Sequence, residues 1–372
     1  MDFTLDDEQQ AISELADRIL AEQCPVETLR TLEAGPADQR LAADAWAALA
    51  GADLLGLALD EDHGGSGLDL IAAGMVAQQV GRHVTLVPYW SSTAAALTIA
   101  RWGSDEIRAR WLPGALDGTA PLAVALWNAP GTEGLTAVAD ADADGWRLTG
   151  TATPVPWAGQ AKALVVTAQF EAGGSGVFVV DTDLPGLKFV DETVITNEPN
   201  QTVHFSDVRL TGVDQLGDET VASWLAQRSA ALLCLTALGV CEEALALTAR
   251  HVTERHQFGS PIGTFQAVGH RCADSYIDTE AIRLTALQAI WQLDAGWDAS
   301  DALAVATFWA TEGGQRVVHA AQHLHGGIGM DTDYPLHRYF RWAKWTESLL
   351  GGTNGALLRL GRSLAAGAAP TT

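Results

Sequence analysis

The segment 255–266, with the sequence RHQFGSPIGTFQ, separates two long stretches of helical pattern and constrains the fold more than any other part of the chain. Upstream, residues 219–254 contain no proline and one glycine, and apolar residues recur three and four positions apart. Residues 266–293 repeat this pattern, which is typical of buried helices. Glycine and proline end the first helix, and Thr264 is predicted to cap the second. The sequence therefore predicts a helical hairpin with Arg255 at the end of its first helix.

Arg255 has two interpretations at this position. A guanidinium held at a helix end can bind a diphosphate through paired hydrogen bonds, and Phe258 and Gln266 would be close enough to flank a bound ring. Alternatively, the arginine only meets the carbonyl groups of the helix C-terminus. Spacing alone favours this second, purely structural role.

The charge balance limits the classes of partner. The chain has 372 residues, with 22 Lys and Arg against 46 Asp and Glu, a net charge of -24. This argues against nucleic acid and against an anionic membrane surface, although a local basic pocket could still bind an anion. The four cysteines form no CxxC pair, so we expect buried free thiols and no metal site. We see no signal peptide and no stretch apolar enough to span a membrane, which predicts a cytoplasmic protein.

The pattern of the chain changes twice. Helices are predicted before residue 118, with Ser104 capping the last of them, over 6–22, 38–49, 68–80, 92–102 and 105–112. Residues 119–218 show alternation and β-branched runs, and Asp144-Gly145 indicates a hairpin turn; the clearest strands are 163–170, 176–181 and 201–210. Helical periodicity then returns over 219–254, 266–293, 300–323, 336–349 and 353–364.

These patterns predict a mostly α-helical protein with a β middle domain. We expect an N-terminal helical domain over residues 1–118 and a small β-barrel or sandwich domain over 119–218. The remaining residues, 219–372, are expected to form a C-terminal four-helix bundle domain.

Three motifs resemble the acyl-CoA dehydrogenase superfamily, in the order and near the spacing of that family. The first is Arg255-x-Gln257-Phe258-Gly259-x-Pro261-Ile262-x-x-Phe265-Gln266, the second His325-Gly326-Gly327-Ile328-Gly329, and the third Gly352-Thr353-Asn354. The likeness runs from residue 2 to about residue 362. The same helix–β–helix architecture is implied by the resemblance.

The resemblance implies an FAD-dependent oxidation of an acyl-CoA thioester to its 2,3-enoyl form. In homotetrameric relatives, the arginine motif and the glycine turn reach across an interface and hold the ADP half of a neighbour's FAD. His323 stands where the family has glutamine, and imidazole can still donate a hydrogen bond. The cofactor-binding residues carried over in this way are Arg255, Gln257, Phe258, Gln266, His323, Gly326, Gly327, Thr353 and Asn354.

The catalytic base of the family is missing from its usual positions. Most members carry a glutamate just before the Gly-Thr of the last helix, where this chain has Gly351. Others place it on the long helix, where the matching residue is Ser229. Neither side chain can act as a carboxylate base. Glu347, one turn before Gly351, is an alternative candidate, although a solvated helix carboxylate is the commoner role.

The elements that hold the flavin ring and the thioester are also altered. The family's Thr-Glu-Pro loop matches Trp127-Asn128-Ala129, and its Trp-Ile-Thr segment matches Val155-Pro156-Trp157. Pro156 cannot donate a backbone hydrogen bond to a flavin, and Trp157 is either a shifted ring or a residue that blocks the pocket. The family's Asp-x-x-Arg pair on the long helix is replaced by Gln227 and Ala230, with Arg228 on another face.

Elements that act across an interface are thus kept, whereas elements that act within one chain are changed. The superfamily includes α2β2 heterotetramers of paralogous subunits, common in actinobacterial steroid and acyl-CoA catabolism. We therefore predict a base-less subunit that completes a partner's FAD site, with the acyl-CoA bound in the partner. Two alternatives stay open, a self-sufficient dehydrogenase that uses Glu347 and a scaffold of the same fold that binds neither FAD nor CoA.

Overall fold

A computed structural model describes residues 3–126, 134–139 and 145–367 of the chain. Its helices before the sheet are α1 (Asp7–Gln23), α2 (Val26–Ala34), α3 (Ala43–Gly51), α4 (Leu70–Arg82), α5 (Tyr89–Trp102) and α6 (Asp105–Leu116). Those after it are α7 (Glu219–Glu254), α8 (Gln266–Asp294), α9 (Ser300–Phe308), α10 (Gly314–His325), α11 (Leu336–Leu349) and α12 (Gly352–Gly367). The prediction of helical regions on either side of a β region is confirmed.

The strands between the two helical regions form one mixed sheet. They are β1 (Leu122–Ala125), β2 (Thr136–Ala139), β3 (Gly145–Pro156), β4 (Ala163–Phe170), β5 (Ser175–Asp181), β6 (Leu187–Asp191), β7 (Asn200–Thr211) and β8 (Gln215–Asp218). Their order is β6-β7-β3-β2-β4-β5-β8, with β1 paired in parallel to β4. The predicted hairpin is present, because β2 and β3 pair antiparallel with Ala139 opposite Trp146. Asp144 itself lies outside the described residues.

The sheet has a closely packed apolar core. Leu148, Leu164, Phe178 and Val203 are fully buried in one cluster drawn from four strands. Trp146 packs on this cluster, with its ring centroid 5.7 Å from that of Phe178. Burial of alternate and β-branched side chains is therefore what selects the strands here.

The chain divides into two compact units. One contains residues 1–21, 74–85 and 230–372, and the other contains residues 22–73 and 86–229. Within the first unit, α4 and α7 touch backbone to backbone: a Cβ on Gly239 would lie 1.8 Å from the carbonyl oxygen of Gln78. This close approach explains the glycine inside an otherwise apolar helix. The division into three domains at residues 118 and 218 stays a prediction.

Several element boundaries differ from the sequence prediction. The helix α2 is absent from that prediction, and α6 continues through Pro113 to Leu116. The predicted helix over 300–323 contains a π-helical turn, Trp309–Gly313. Ser104 does cap α6, since its hydroxyl oxygen accepts a bond from the Ile107 backbone N–H at 3.3 Å. The short segment between α7 and α8 is a small β-hairpin, β9 (His256–Gln257) and β10 (Ser260–Pro261).

The helix α7 also corrects an expectation about membranes. Among the described residues, it is long and apolar enough by length and composition to cross a membrane, so the prediction that no stretch qualifies is wrong. In its most apolar window, 72% of the residues are buried inside the protein, as in the core helix of a globular fold. Its two cysteines are buried free thiols, and burial raises the pKa of Cys234 to about 12.

Candidate functional site

The arginine motif occupies the β-hairpin that joins α7 to α8. Arg255 follows the last residue of α7, and its backbone is fixed on both sides: its N–H donates to the His251 carbonyl at 2.8 Å, and its carbonyl accepts from the Ile262 N–H at 2.8 Å. Its side chain is exposed, and no ion pair to it occurs within the described parts of the chain. The backbone of Arg255 is therefore fixed, and its guanidinium is accessible to a ligand.

Phe258 lies at the tip of this hairpin in an unusual conformation. Its φ is +54° and that of Gly259 is +85°, as in the tight hairpin turns that need two left-handed residues. Phe258 is 94% exposed, and its ring meets that of Phe265 edge-on at 6.2 Å between centroids. An exposed aromatic ring in a strained conformation is not explained by burial in this chain.

The start of α8 differs from the prediction that Thr264 caps it. The Thr264 hydroxyl instead donates to the Pro261 carbonyl at 2.7 Å, and Phe265 occupies the position before the helix without a side-chain cap. The capping prediction is therefore wrong, because a short 3-10 turn over Ile262–Thr264 precedes the helix. Gln257 and Gln266 are both exposed on the same hairpin-to-helix segment.

The glycine turn begins directly after α10. Gly326 has a φ of +64°, and a Cβ added to Gly326 or to Gly327 would meet no atom within 4 Å. Both residues are exposed, as is His323 in the last turn of the helix. Gln322 lies against the turn, with its Nε2 donating to the Gly326 carbonyl at 3.4 Å. The turn thus leaves open space beside a backbone that could approach a phosphate closely.

Two histidines connect the arginine hairpin with the glycine turn. His251, one turn before Arg255, stacks on His325, with ring centroids 4.3 Å apart and an interplanar angle of 21°. His325 is 6% exposed and directly precedes Gly326. Its Nδ1 lies 2.8 Å from the Ala321 carbonyl, and its Nε2 lies 3.1 Å from the Tyr334 hydroxyl. The structure therefore brings Arg255 and the glycine turn together through a contact that the sequence analysis missed.

Thr353 and Asn354 stand at the start of α12 in different surroundings. The Thr353 hydroxyl lies 3.2 Å from the Thr311 hydroxyl and 3.4 Å from Glu312 Oε2. Both partners come from the π-helical turn, a feature often found at functional sites. Asn354 is exposed. The Thr353 hydroxyl is therefore engaged within the chain, whereas the amide of Asn354 faces solvent.

The two usual base positions hold no carboxylate in a suitable place. Gly351 is exposed and has a φ of +79°, and Gly352 follows with +70°. Ser229 is completely buried in α7, and its Oγ has no hydrogen-bond partner among the residues that the structure describes. Glu347 forms an ion pair with Lys344 at 2.8 Å, and the same Nζ bonds to Gln315 at 2.9 Å. The carboxylate of Glu347 is thus engaged one turn away from Gly351.

Trp157, in the segment predicted to match the family's flavin-facing strand end, is enclosed by neighbouring residues. Trp157 is 0% exposed with a φ of +67°. Its indole Nε1–H donates to Glu198 Oε1 at 3.2 Å, and its backbone N–H donates to the Pro199 carbonyl at 2.9 Å. Trp157 is therefore held by contacts within the chain, and the choice between its two interpretations stays a prediction. Trp127, Asn128 and Ala129, the second flavin element, lie outside the described residues.

The start of α7 shows no sign of the family's Asp-Arg pair. Gln227 and Ala230 occupy those positions, and Arg228 instead covers the face of Trp224, with its guanidinium carbon 3.7 Å from the ring centroid. Trp224 in turn meets Trp102 edge-on at 4.7 Å. This stack is typical of a cation–π contact that stabilises the fold.

The described residues fit one half of an FAD molecule better than the other. An exposed guanidinium and open glycine backbone suit a diphosphate. In contrast, the buried Trp157 and Pro156 offer a flavin ring neither space nor a free backbone donor. No group of His, Cys, Asp or Glu side chains that could hold a metal ion occurs in 3–126, 134–139 or 145–367.

Comparisons with known proteins agree with this architecture. Residues 6–119 match the model of the acyl-CoA dehydrogenase N-terminal domain, and residues 220–365 match that of the acyl-CoA dehydrogenase C-terminal domain. The chain is 37% identical to acyl-CoA dehydrogenase FadE27 of Mycobacterium tuberculosis, over 98% of this chain and 99% of the relative.

Two solved structures of protein pairs are also similar to the chain. One is the ChsE4-ChsE5 complex from Mycobacterium tuberculosis, with a TM-score of 0.95, 37% identity and 100% coverage of both chains. The other is a variant of the Tcur3481-Tcur3483 steroid ACAD, with a TM-score of 0.92, 40% identity and coverage of 99% of this chain and 100% of the other. By sequence and by fold, the chain belongs to the acyl-CoA dehydrogenase family.

Proposed function

We propose that this chain is the base-less subunit of a hetero-oligomeric, FAD-dependent acyl-CoA dehydrogenase and completes the FAD site of a paralogous partner. The observation that carries the proposal is the contrast within the chain. The Arg255 side chain and the Gly326-Gly327 turn are exposed, whereas the positions for the base and the flavin ring hold glycine, a buried serine and an enclosed tryptophan. The similar solved structures, each a pair of proteins, support a paralogous partner.

In this proposal, each exposed residue has a role toward the partner's cofactor. Arg255 binds the diphosphate bidentately, and the backbone N–H of Gly327 approaches it from the open glycine turn, where the Gly326 N–H already donates to the carbonyl end of α10. Gln257 and Gln266 donate or accept hydrogen bonds on the nucleotide, and His323 does so in place of a glutamine. Phe258 covers the nucleotide with its exposed ring. Asn354, with Thr353 behind it, contacts the cofactor from the start of α12.

The chemistry divides between the subunits. FAD, when bound, accepts a hydride from the β-carbon of the acyl thioester. The partner supplies the carboxylate that removes the α-proton, since Gly351 and Ser229 cannot. This chain's own residues bind and orient the ADP half. Because a chain with a net charge of -24 does not attract a diphosphate at long range, the local cation Arg255 carries most of this binding.

The two similar solved structures also support a proposal for the substrate class and for the assembly. One similar structure is described as a steroid ACAD, so we propose that the acyl-CoA, bound in the partner, carries a steroid-derived or fatty acyl group. The two subunits are proposed to assemble as α2β2.

Co-expression with candidate paralogues tests the proposal. The chain alone should purify without a flavin absorption band, whereas a complex with a partner that carries a glutamate before its Gly-Thr should purify yellow. A chain that is yellow alone would favour the self-sufficient dehydrogenase with Glu347 as base. A complex that forms but stays colourless after FAD is added would favour the scaffold.

A further inference from the structure

The stacked histidines have a defined protonation pattern. The Ala321 carbonyl can only accept, so His325 carries its proton on Nδ1 and donates to that oxygen at 2.8 Å. Nε2 of the neutral ring then accepts from the Tyr334 hydroxyl at 3.1 Å. Both nitrogens are satisfied without a charge. The ring is therefore locked in one orientation, which fixes the residue that immediately precedes Gly326.

The charged groups around the pair oppose protonation of either ring. Burial lowers the pKa of His251 below its usual 6.5, and Arg255 lowers it further, while Glu254 acts in the opposite direction. Burial and His251 lower the pKa of His325, and the hydrogen bond to Ala321 partly offsets this. Arg250 and Glu254 face Tyr334, the third member of the array. Two stacked imidazolium rings beside Arg255 would repel each other in this half-buried place.

We infer that His251 and His325 form a positioning pair that holds the Arg255 hairpin and the Gly326 turn in one fixed arrangement. The inference rests on the proposed function for its purpose, because both elements are proposed to bind the same diphosphate. Its evidence is independent: a 4.3 Å ring stack joins the last turn of α7 to the residue before the glycine turn. Two contacts of one ligand must keep their spacing, and this stack fixes it.

Three variants test the positioning pair. His251→Ala removes the ring, His251→Phe keeps a stacking ring that cannot be protonated, and His319→Phe is the matched control. His319 also lies in α10 and also meets an aromatic ring, Phe340 at 4.9 Å, but outside the array. The first measurement is amide hydrogen exchange at Ile262 and Gly326, whose N–H groups close the hairpin and the helix end.

We expect His251→Ala to speed exchange at both amides together, and His251→Phe to restore protection. In the co-expressed complex, His251→Ala should weaken FAD binding roughly two- to tenfold, the range of a lost aromatic pair. His319→Phe should change neither quantity. Exchange that changes at only one amide, or at neither, would overturn the inference.

The pH dependence gives a readout that a merely structural contact would not give. Because both pKa values are lowered, the pair is neutral above about 6.5, and its stabilisation is lost as the pH falls below that value. Between pH 7 and pH 5, wild-type protection at Ile262 and Gly326 should fall, by at most about tenfold per pH unit for one linked proton. His251→Phe should flatten this profile, since a charged His325 is tolerated against a phenyl face.

The two proposals fail in different ways. If Arg255→Ala weakens FAD binding but His251→Ala alters neither exchange nor affinity, the positioning pair is wrong and the cofactor role stands. If His251→Ala speeds exchange at both amides but neither His251→Ala nor Arg255→Ala weakens FAD binding, the cofactor role is wrong. A wild-type profile no steeper than that of His251→Phe would also overturn the positioning pair.

Discussion

The hairpin and glycine turn differ from the base and flavin-ring positions in what their side chains already contact. In the first region, Arg255 and Phe258 face solvent from a rigid backbone. In the second, Trp157 bonds to Glu198, and Glu347 bonds to Lys344. A protein that used only its own cofactor site would need the second region open. The difference is what we expect of a chain that, as proposed, contributes to a partner's cofactor site and does not form a complete site of its own.

The largest expected effect is on turnover. Turnover by the isolated chain would contradict the contrast between the two regions. The isolated chain should show no oxidation of any acyl-CoA with an artificial electron acceptor, because it lacks a base at positions 351 and 229. The co-expressed complex should turn over. The measurement is acceptor bleaching with a panel of fatty acyl- and steroid-type CoA thioesters.

Glu347→Gln provides the control for that experiment. Turnover of the complex should be unchanged by the substitution, since Glu347 is engaged with Lys344. Robust activity of the isolated wild-type chain that disappears in this variant would instead identify Glu347 as the base and remove the contrast between the two regions.

The next largest effect tests the exposed region, that is, the Arg255 hairpin and the glycine turn. Arg255→Ala should leave the complex assembled and weaken its FAD binding by about 1.5–3 kcal/mol, the scale of a charged hydrogen bond. Arg255→Lys should fall between, because it keeps the charge and loses the planar fork. Flavin content and the FAD dissociation constant measure the effect, with assembly followed by gel filtration.

Arg250→Ala is the matched control for Arg255. Arg250 lies earlier on α7, is exposed, and stands 3.9 Å from Glu243. FAD affinity should be unaffected by its removal. Equal affinity in wild type and in an intact Arg255→Ala complex would return Arg255 to a purely structural role at the helix end.

The enclosed region around Trp157 is tested by the free energy of unfolding. Trp157→Phe keeps most of the buried ring but removes the donor to Glu198, which is itself buried. We expect a loss of about 1–3 kcal/mol in the free energy of unfolding, the usual range for depriving a buried acceptor of a partner. Urea denaturation of wild type and variant measures it. No loss of stability, together with new flavin binding by the isolated chain, would mean that this region is not closed.

The smallest effect concerns the left-handed Gly351. Gly351→Glu should not restore activity, because in the proposed function the buried Trp157 also leaves the chain without a flavin-ring site of its own. It should also cost about 1–2 kcal/mol of stability, the penalty for a side chain with positive φ. Gly351→Asn is the control and should cost less, since asparagine tolerates that conformation. Restored turnover in Gly351→Glu would show that only the base is missing.

Much of the fold could be predicted from the sequence because hydrophobic periodicity carries it. The bounds of α7 and α11 follow from apolar spacing and agree with residues 219–254 and 336–349. The helix α2 was missed because it is short, buries only Leu29 and has no side-chain cap. Thr264 has a suitable residue type for a cap, but an intervening 3-10 turn uses its hydroxyl. Local propensity cannot foresee such competition.

In the candidate site, too, some features could be predicted from the sequence and others could not. Motif spacing locates Arg255 and Gly326, because each is fixed by the end of a helix. The stack between His251 and His325 joins residues that are far apart in the chain and leaves no periodic signal. The pairing of Trp157 with Glu198 is similarly a contact between separate segments. The stack of His251 on His325 could have been suggested only by the position of each histidine beside a recognised motif.

The consecutive left-handed glycines at positions 351 and 352 have a consequence for the history of such a chain. Once the backbone there has adopted this conformation, a mutation back to glutamate meets strain before it brings any catalytic benefit. In the proposed function, a base lost at this position would therefore be difficult to regain by one substitution. If two gene copies divided the work of one ancestral enzyme, this local geometry would make the division difficult to reverse, and each copy would come to depend on the other for survival.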